Sequence, residues 1–110
     1  KELATYLQSY IIVKGAWSVI VTPEGKYYFN PTGNPGMGTA GSGDVLTGIL
    51  LALLAQGYSR EEACRIGVYV HGLAGDIAAD KMTGIGMKAG DIIDALPEAW
   101  KKILPTTNRY

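Results

Sequence analysis

The chain has 110 residues, enough for a single domain, which excludes a two-domain arrangement. Hydrophobic residues make up 47% of it, and this proportion excludes intrinsic disorder. Ten Lys and Arg residues balance ten Asp and Glu residues, so there is no net charge to attract a nucleic-acid backbone or an anionic membrane. We therefore expect neither as a partner.

The first third of the chain is predicted to be mainly β-structure. Residues 1 to 7 begin without an initiator Met and have helical spacing of apolar residues, so we predict the end of an amphipathic helix in a fragment of a larger protein. β-branched runs at 10–13 and 17–21 predict two strands. A turn at 23–26 and a third strand at 26–29 complete a predicted hairpin with the second strand.

The C-terminal part is predicted to be helical. Residues 44–56 are almost all apolar and are followed by Gly57, which predicts a helix buried on every side. Residues 59–62 form a capping box that starts a second helix, which extends to about Asp80. After a loop at 82–88, a third helix from about Gly90 to Leu104 contains Pro97, which we expect to kink or divide it.

Membrane and disulfide signals are both lacking in the sequence. The longest apolar run, Ile49 to Ala55, has seven residues, whereas roughly 20 are needed to cross a bilayer. Cys64 is the only cysteine, so this chain has no disulfide framework and no cysteine-rich metal cluster. We expect a cytoplasmic protein.

Glycine is over-represented, with 15 residues in total and five between Gly33 and Gly43. The glycine loop ends in Gly41-Ser42-Gly43-Asp44, where the apolar helix begins. The first turn of a helix leaves about four N–H groups unpaired and carries about half a positive charge, so this end is a candidate anion site. Asp44 would repel a bound phosphate. Two interpretations therefore stay open: a helix N-cap in a plain loop, or an acid with a chemical role.

Three better-known motifs are excluded by their context. Residues 36–41 match the G-x-G-x-x-G dinucleotide fingerprint, but no strand directly precedes them and a second helix follows the first. No Gly-Lys-Ser/Thr follows the glycines, which excludes a P-loop. Ala40 breaks the nucleophile elbow around Ser42.

Residues 34–48, Asn-Pro-Gly-Met-Gly-Thr-Ala-Gly-Ser-Gly-Asp-Val-Leu-Thr-Gly, resemble the signature of the ADP/ATP-dependent NAD(P)H-hydrate dehydratases of the ribokinase-like superfamily. The likeness continues through 13–15, through His-Gly-Leu-Ala-Gly-Asp at 71–76, and through 89–93. It implies an α/β fold, the C-terminal part of a ribokinase-like three-layer α/β/α sandwich, with strands first and then three helices. Residues 1–110 would be one portion of a single domain. Gly38, where alanine is more usual, and Trp17, where smaller residues are common, depart from the pattern.

The resemblance also implies a reaction. ADP or ATP with Mg²⁺ would phosphorylate the hydroxyl of hydrated NAD(P)H, and elimination of phosphate would restore NAD(P)H. Asp44 would be the catalytic base and contact the substrate. The anion hole would be formed by Gly41, Ser42 and Gly43, and the nucleotide would be bound by Lys14, Gly15, Ala16, Trp17, Ser18 and Gly43. We expect no metal site made by protein side chains alone, and we expect a homo-oligomer.

Two other functions remain open. A ribokinase-like kinase for a vitamin precursor or a sugar would use the same loop and the same aspartate, and the lead-in Asn34-Pro35-Gly36-Met37 favours the dehydratase only modestly. A non-catalytic nucleotide-binding fragment is the third possibility.

Two sets of polar side chains are expected to be structural. His71, the only histidine, is predicted to be packed or hydrogen-bonded rather than catalytic. Asp76 and Asp80 lie four residues apart and are predicted to be on a solvated helix face.

Overall fold

A computed structural model describes residues 3–7, 10–14, 18–38, 41–83 and 86–103, giving the backbone alone for 3–7, 13, 14, 35 and 38. The strands come first: β1 (Leu3–Leu7), β2 (Tyr10–Lys14), β3 (Val19–Val21) and β4 (Tyr27–Phe29). A short 3₁₀ helix (Pro35–Gly38) precedes α1 (Ser42–Ala55), α2 (Arg60–Met82) and α3 (Ala89–Ile103). The predicted order of strands followed by three helices is confirmed.

The four strands form an antiparallel sheet in the order β1-β2-β3-β4. The predicted hairpin is confirmed, with Val19 opposite Phe29 and Val21 opposite Tyr27. In its turn, the Thr22 N–H donates to the Lys26 carbonyl at 2.9 Å and the Gly25 N–H donates to the Thr22 carbonyl at 3.0 Å. Gly25 has a φ of 86°, which favours glycine at this position.

The helix predicted over residues 1–7 is wrong. Residues 3–7 are a strand paired with β2, from Leu3 opposite Lys14 to Leu7 opposite Tyr10. Apolar residues three and four apart occur by chance in so short a segment, and the adjacent β-branched strand supplies a full ladder of backbone partners. Tertiary pairing therefore overrides the local pattern.

The sheet packs against α1 and α2 through one cluster of buried side chains. These are Ile12 and Ile20 from the sheet, Leu46 and Leu50 from α1, and Cys64 and Val68 from α2. A second cluster joins α2 to α3 and includes Val70, Ala74, Ile92 and Ala99. Helix α2 is therefore the central element, since it is covered by the sheet and α1 on one side and by α3 on another.

Helix α1 is buried on one face only, so the prediction that it is buried all round is wrong. Leu46, Ile49, Leu50 and Leu53 are buried, whereas Leu51 is 58% exposed. The buried positions repeat at three- and four-residue spacing, as expected for a helix that packs on one side. Composition alone could not indicate this, because the exposed face is also apolar.

The bounds of α2 and α3 agree with the predictions to within about two residues. At the start of α2, the Glu62 N–H donates to Ser59 Oγ at 3.1 Å, and the Ser59 N–H donates to Glu62 Oε1 at 2.9 Å. The capping box is therefore confirmed. Helix α3 includes Pro97 and is not divided by it. The carbonyl group of Ile93 loses its helical donor, but Ile93 is 52% exposed, so water can reach it.

The Cys64 thiol is completely buried, and burial raises its pKa from 9.0 to about 11. We expect a thiol-reactive dye to label the native protein slowly at about pH 8 and the denatured protein rapidly, because the reactive species is the thiolate. The folded state holds the proton more tightly between pH 9.0 and about 11, so the free energy of unfolding should fall as the pH rises through that range. Rapid labelling of the native protein would show that the thiol is accessible.

Among the described residues, no helix has both the length and the apolar composition needed to cross a membrane.

Candidate functional site

The glycine loop joins α1 at Gly41, whose backbone has the left-handed helical conformation. Gly41 has a φ of 88°, and a Cβ there would lie 3.2 Å from the Cβ of Ala89, so both backbone conformation and space favour glycine. The first helical bond runs from the Val45 N–H to the Gly41 carbonyl at 3.1 Å. The N–H groups of Ser42, Gly43 and Asp44 precede this bond and therefore have no intrahelical acceptor. This is the arrangement expected at an anion-binding helix terminus.

Asp44 is the third residue of α1, and the N-cap is Gly41, with no side-chain capping bond. The interpretation of Asp44 as the N-cap is therefore wrong. Its side chain is exposed, and it is the acidic residue in the first turn of α1. Its carboxylate is thus accessible to a ligand bound at the anion site. Its role as a base stays a prediction.

Gly43, the second helical residue, has no positive φ. A glycine inside a helix costs roughly 0.5–1 kcal/mol relative to alanine, so helix formation does not explain this residue. A bare backbone that admits a ligand close to its N–H is a sufficient reason for it.

A contact between Ser42 and His71 connects the first residue of α1 to α2. Both side chains are buried, with 2% and 3% exposure. His71 Nε2 lies 3.0 Å from the Ser42 carbonyl oxygen and 3.2 Å from Ser42 Oγ. Because a carbonyl group can only accept, Nε2 carries the proton and donates it. The predicted structural role of His71, a hydrogen bond within the packed interior, is confirmed.

The start of the glycine loop, at residues 33–36, is hydrogen-bonded to α2. The Asp76 carboxylate accepts from the Gly33 N–H at 3.0 Å through Oδ2 and from Asn34 Nδ2 at 2.8 Å through Oδ1. Asn34 Oδ1 in turn accepts from the Gly36 N–H at 3.0 Å. Asp76 is half-buried and each of its carboxylate oxygens accepts a hydrogen bond, so its assignment to a solvated helix face is wrong. Asp80 is exposed as predicted. The i, i+4 spacing of the two acids concealed their different surroundings.

Upstream of Gly33, two buried polar residues bind the backbone of α2. Asn30 Nδ2 donates to the Thr32 carbonyl at 3.0 Å and to the Val68 carbonyl at 3.4 Å, and Thr32 Oγ1 donates to the Tyr69 carbonyl at 3.0 Å. Gly72 lets this segment approach closely, since a Cβ there would lie 2.8 Å from the Thr32 carbonyl carbon, and Gly75 makes room for the Met37 side chain of the 3₁₀ turn. A Gly-x-x-Gly-Asp pattern on a helix was the sequence signal for this contact.

The predicted nucleotide-binding residues are only partly described. Gly15, Ala16 and Trp17 lie outside the described residues, as does the side chain of Lys14, whose backbone ends β2. The Ser18 carbonyl accepts from the Asn30 N–H at 3.0 Å, which connects Ser18 to the end of β4, a few residues before the glycine loop. The assignment of these residues, and of Gly43, to a nucleotide stays a prediction.

Two cavities of about 600 and 580 Å³ open elsewhere on the surface. The larger lies between β4, α2 and α3 and includes Tyr28, Arg65 and Trp100, while the smaller lies between α1 and α3. Neither lining includes residues 41–44. Across the described parts of the chain, no three His, Cys, Asp or Glu side chains meet in a way that could hold a metal ion. Support for the α1 terminus as a site therefore comes from its unpaired N–H groups and its exposed acid rather than from a cavity.

Comparison with known proteins gives consistent matches. The family model described as NAD(P)H-hydrate dehydratase matches residues 1–98. The bifunctional NAD(P)H-hydrate repair enzyme Nnr of Thermofilum pendens is 51% identical over 102 residues, which cover 93% of this chain and 20% of that protein. The ADP-dependent (S)-NAD(P)H-hydrate dehydratase of Bacillus subtilis is 36% identical, with coverage of 93% of this chain and 37% of the relative.

A solved structure gives the same fold. The ADP/ATP-dependent NAD(P)H-hydrate dehydratase of Bacillus subtilis, co-crystallized with ATP/Mg²⁺, superposes with a TM-score of 0.80 at 35% identity, over 87% of this chain and 35% of that one. The sheet and helices are therefore part of the ribokinase-like α/β fold, and the chain spans only a fifth to about a third of the length of these relatives. With a family model that covers residues 1–98, the chain belongs to the NAD(P)H-hydrate dehydratase family.

Proposed function

We propose that this chain is a portion of a single ribokinase-like domain that repairs hydrated NAD(P)H in a reaction driven by ADP or ATP. The observation that carries the proposal is the N-terminus of α1, where unpaired N–H groups and an exposed acid occur together in the family signature. The relatives are named for this activity, and one was co-crystallized with ATP/Mg²⁺.

The proposed chemistry gives the N–H groups and the Asp44 carboxylate different roles in the phosphoryl-transfer step. The N–H groups of Ser42 and Gly43, with the positive end of the helix dipole, stabilise the transferring phosphoryl group, and Gly41 supplies the turn that aims them. Asp44 accepts the proton of the substrate hydroxyl as that oxygen forms a bond to phosphorus and the bond to the nucleotide leaving group breaks. In the second step, the carbon–oxygen bond breaks and phosphate leaves, while the neighbouring carbon loses a proton to water and the electron pair of that C–H bond forms the carbon–carbon double bond of NAD(P)H.

The described residues fit a magnesium ion carried by the nucleotide. Mg²⁺ in such sites keeps several waters and takes further ligands from the substrate phosphates, so Asp44, the acidic residue of the first turn, remains available as the base. The ion would offset the repulsion between the Asp44 carboxylate and the nucleotide phosphates.

We propose that Lys14, Gly15, Ala16, Trp17 and Ser18, together with Gly43, bind the adenine nucleotide. The support is the position of Ser18, whose carbonyl accepts from the Asn30 N–H, in the segment that precedes the glycine loop. Ser18, the last of these residues, is thereby connected to the segment that leads to the proposed anion site.

We further propose a homo-oligomer in the cytoplasm. Exposed apolar side chains, which include Phe29 at 79%, Leu51 at 58% and Ile93 at 52%, provide surface that the rest of the domain or a second copy would cover. A single, buried thiol fits a reducing compartment.

The test is a direct assay of the full-length protein that carries this sequence. We expect the absorbance of reduced nicotinamide to appear when NADH hydrate is supplied with Mg²⁺ and either ADP or ATP, and not when the nucleotide is omitted. Phosphate should be released in equal amount. Transfer of phosphate to a vitamin precursor or sugar, with no conversion of the hydrate, would instead identify a small-molecule kinase.

A further inference from the structure

The glycine loop is attached at both of its ends to the same helix, α2. Asp76 holds its start through the Gly33 N–H and the Asn34 side chain, and His71 holds its end through Ser42. His71 and Asp76 are five residues apart on α2, so one rigid element fixes both ends. We propose that His71 and Asp76 are positioning residues, which fix the phosphate-binding turn without contacting the ligand; this proposal rests on the proposed function.

In the hydrogen bonds at the start of the loop, each donor group is matched with one acceptor oxygen. One Asp76 oxygen accepts from a backbone N–H, and the other accepts from Asn34 Nδ2, which leaves Asn34 Oδ1 for the Gly36 N–H. The Met37 N–H then donates to the Asn34 carbonyl at 3.1 Å and starts the 3₁₀ turn. Replacing Asp76 by Asn puts one surplus donor into the set, whichever way the two amides are turned.

The bonds at the end of the loop act on the anion site itself. The Ser42 carbonyl and hydroxyl groups belong to the first residue of α1, whose N–H is one of the proposed phosphate ligands. Since Ser42 is 2% exposed, its side chain faces α2, and its N–H group is oriented by that attachment. A shift of about 1 Å in such a group can lower the rate of a reaction by about a hundredfold.

The set at the start of the loop permits a reciprocal substitution. With Asn34→Asp and Asp76→Asn together, the new amide on α2 donates to the new carboxylate in the loop and accepts from the Gly33 N–H, and the second carboxylate oxygen accepts from the Gly36 N–H. Every donor then has an acceptor again. Each single substitution leaves either two amides or two carboxylates facing each other, so the double variant should be closer to wild type than either single one.

The experiment measures kcat, the KM for the nucleotide and the melting temperature of the full-length protein. We expect each single variant to lower kcat by about 10- to 100-fold at temperatures well below its melting point, and the double variant to recover most of this loss. His71→Gln, which keeps a donor near the Nε2 position, should retain more activity than His71→Leu. Unchanged kcat in folded single variants, or no recovery in the double variant, would overturn the positioning role.

Amide hydrogen exchange separates failure of this proposal from failure of the proposed function. Asp76→Asn should speed exchange at the Gly33 and Gly36 amides, and His71→Leu should speed it at the Val45 amide, the first bonded amide of α1. If the wild type does not convert the hydrate, the proposed function fails. The attachment of the loop by His71 and Asp76 then stands as a structural role if these amides respond, and falls if they do not.

Discussion

Replacing Asp44 with Asn should reduce the conversion of NADH hydrate by about a hundredfold to ten-thousandfold, which is the range for loss of a positioned general base. Asn has almost the same size as Asp but cannot accept the proton. The loss should be in kcat, whereas nucleotide binding should be retained or strengthened, since one negative charge near the phosphates is removed. Steady-state kinetics and calorimetric titration with ADP and Mg²⁺ measure the two quantities.

Asp94→Asn is a suitable control for this substitution, because Asp94 is also an exposed helical acid but lies on α3. It should leave kcat unchanged. Loss of the carboxylate from the first turn of α1 should lower the free energy of unfolding by only about 0.3–1 kcal/mol, so the Asp44→Asn variant should remain folded during the assay. If that variant turned over at the wild-type rate, Asp44 would not be the base.

The second large effect is expected on stability, from Gly72→Ala. A Cβ at this position would lie 2.8 Å from the backbone carbonyl carbon of Thr32, a distance that a side-chain rotation cannot relieve. Overpacking of this kind costs about 1–3 kcal/mol, and the backbone obstacle places the expected loss toward the upper end. To relieve the clash, the segment around Thr32, which precedes the glycine loop, would have to move away from α2, so nucleotide affinity should fall together with the free energy of unfolding.

Gly48→Ala is the matched control for that variant. Gly48 is also helical, but a Cβ there has no atom within 4 Å. Alanine should therefore stabilise the protein by about 0.5–1 kcal/mol through its higher helix propensity. Chemical denaturation of both variants gives the comparison, and equal stabilities would show that the close approach at Gly72 has no energetic consequence.

The elements with strong local signals could be predicted from the sequence. Helix α2 has a capping box at residues 59–62, and the hairpin has a turn at residues 23–26 with glycine at the required position. Both signals act within a few residues, so no knowledge of distant contacts is needed. The strand Leu3–Leu7 has no such signal, because its partner β2 determines its conformation.

The start of α1 at the end of the glycine loop could also be predicted, because glycines and the beginning of an apolar run coincide in the sequence, whereas anion binding there stays a prediction. The attachment of that loop to α2 could not be predicted. Asp76 lies more than 40 residues from Gly33 and Asn34, and the glycines at 72 and 75 indicate a close contact on α2 without identifying the segment that makes it. Contacts across such a separation depend on how α2 packs, which the family signature implies only through the fold of the whole domain.

The most direct test of the proposed reaction follows the oxygen atom of the substrate hydroxyl, labelled with a heavy isotope. If the hydroxyl is phosphorylated at the α1 terminus and phosphate is then eliminated, the label must leave in the released phosphate, since the carbon–oxygen bond breaks in the second step. We predict one labelled oxygen in each phosphate formed and none in water. Label found in water, with unlabelled phosphate, would contradict phosphorylation of the hydrate and with it the role assigned to this site.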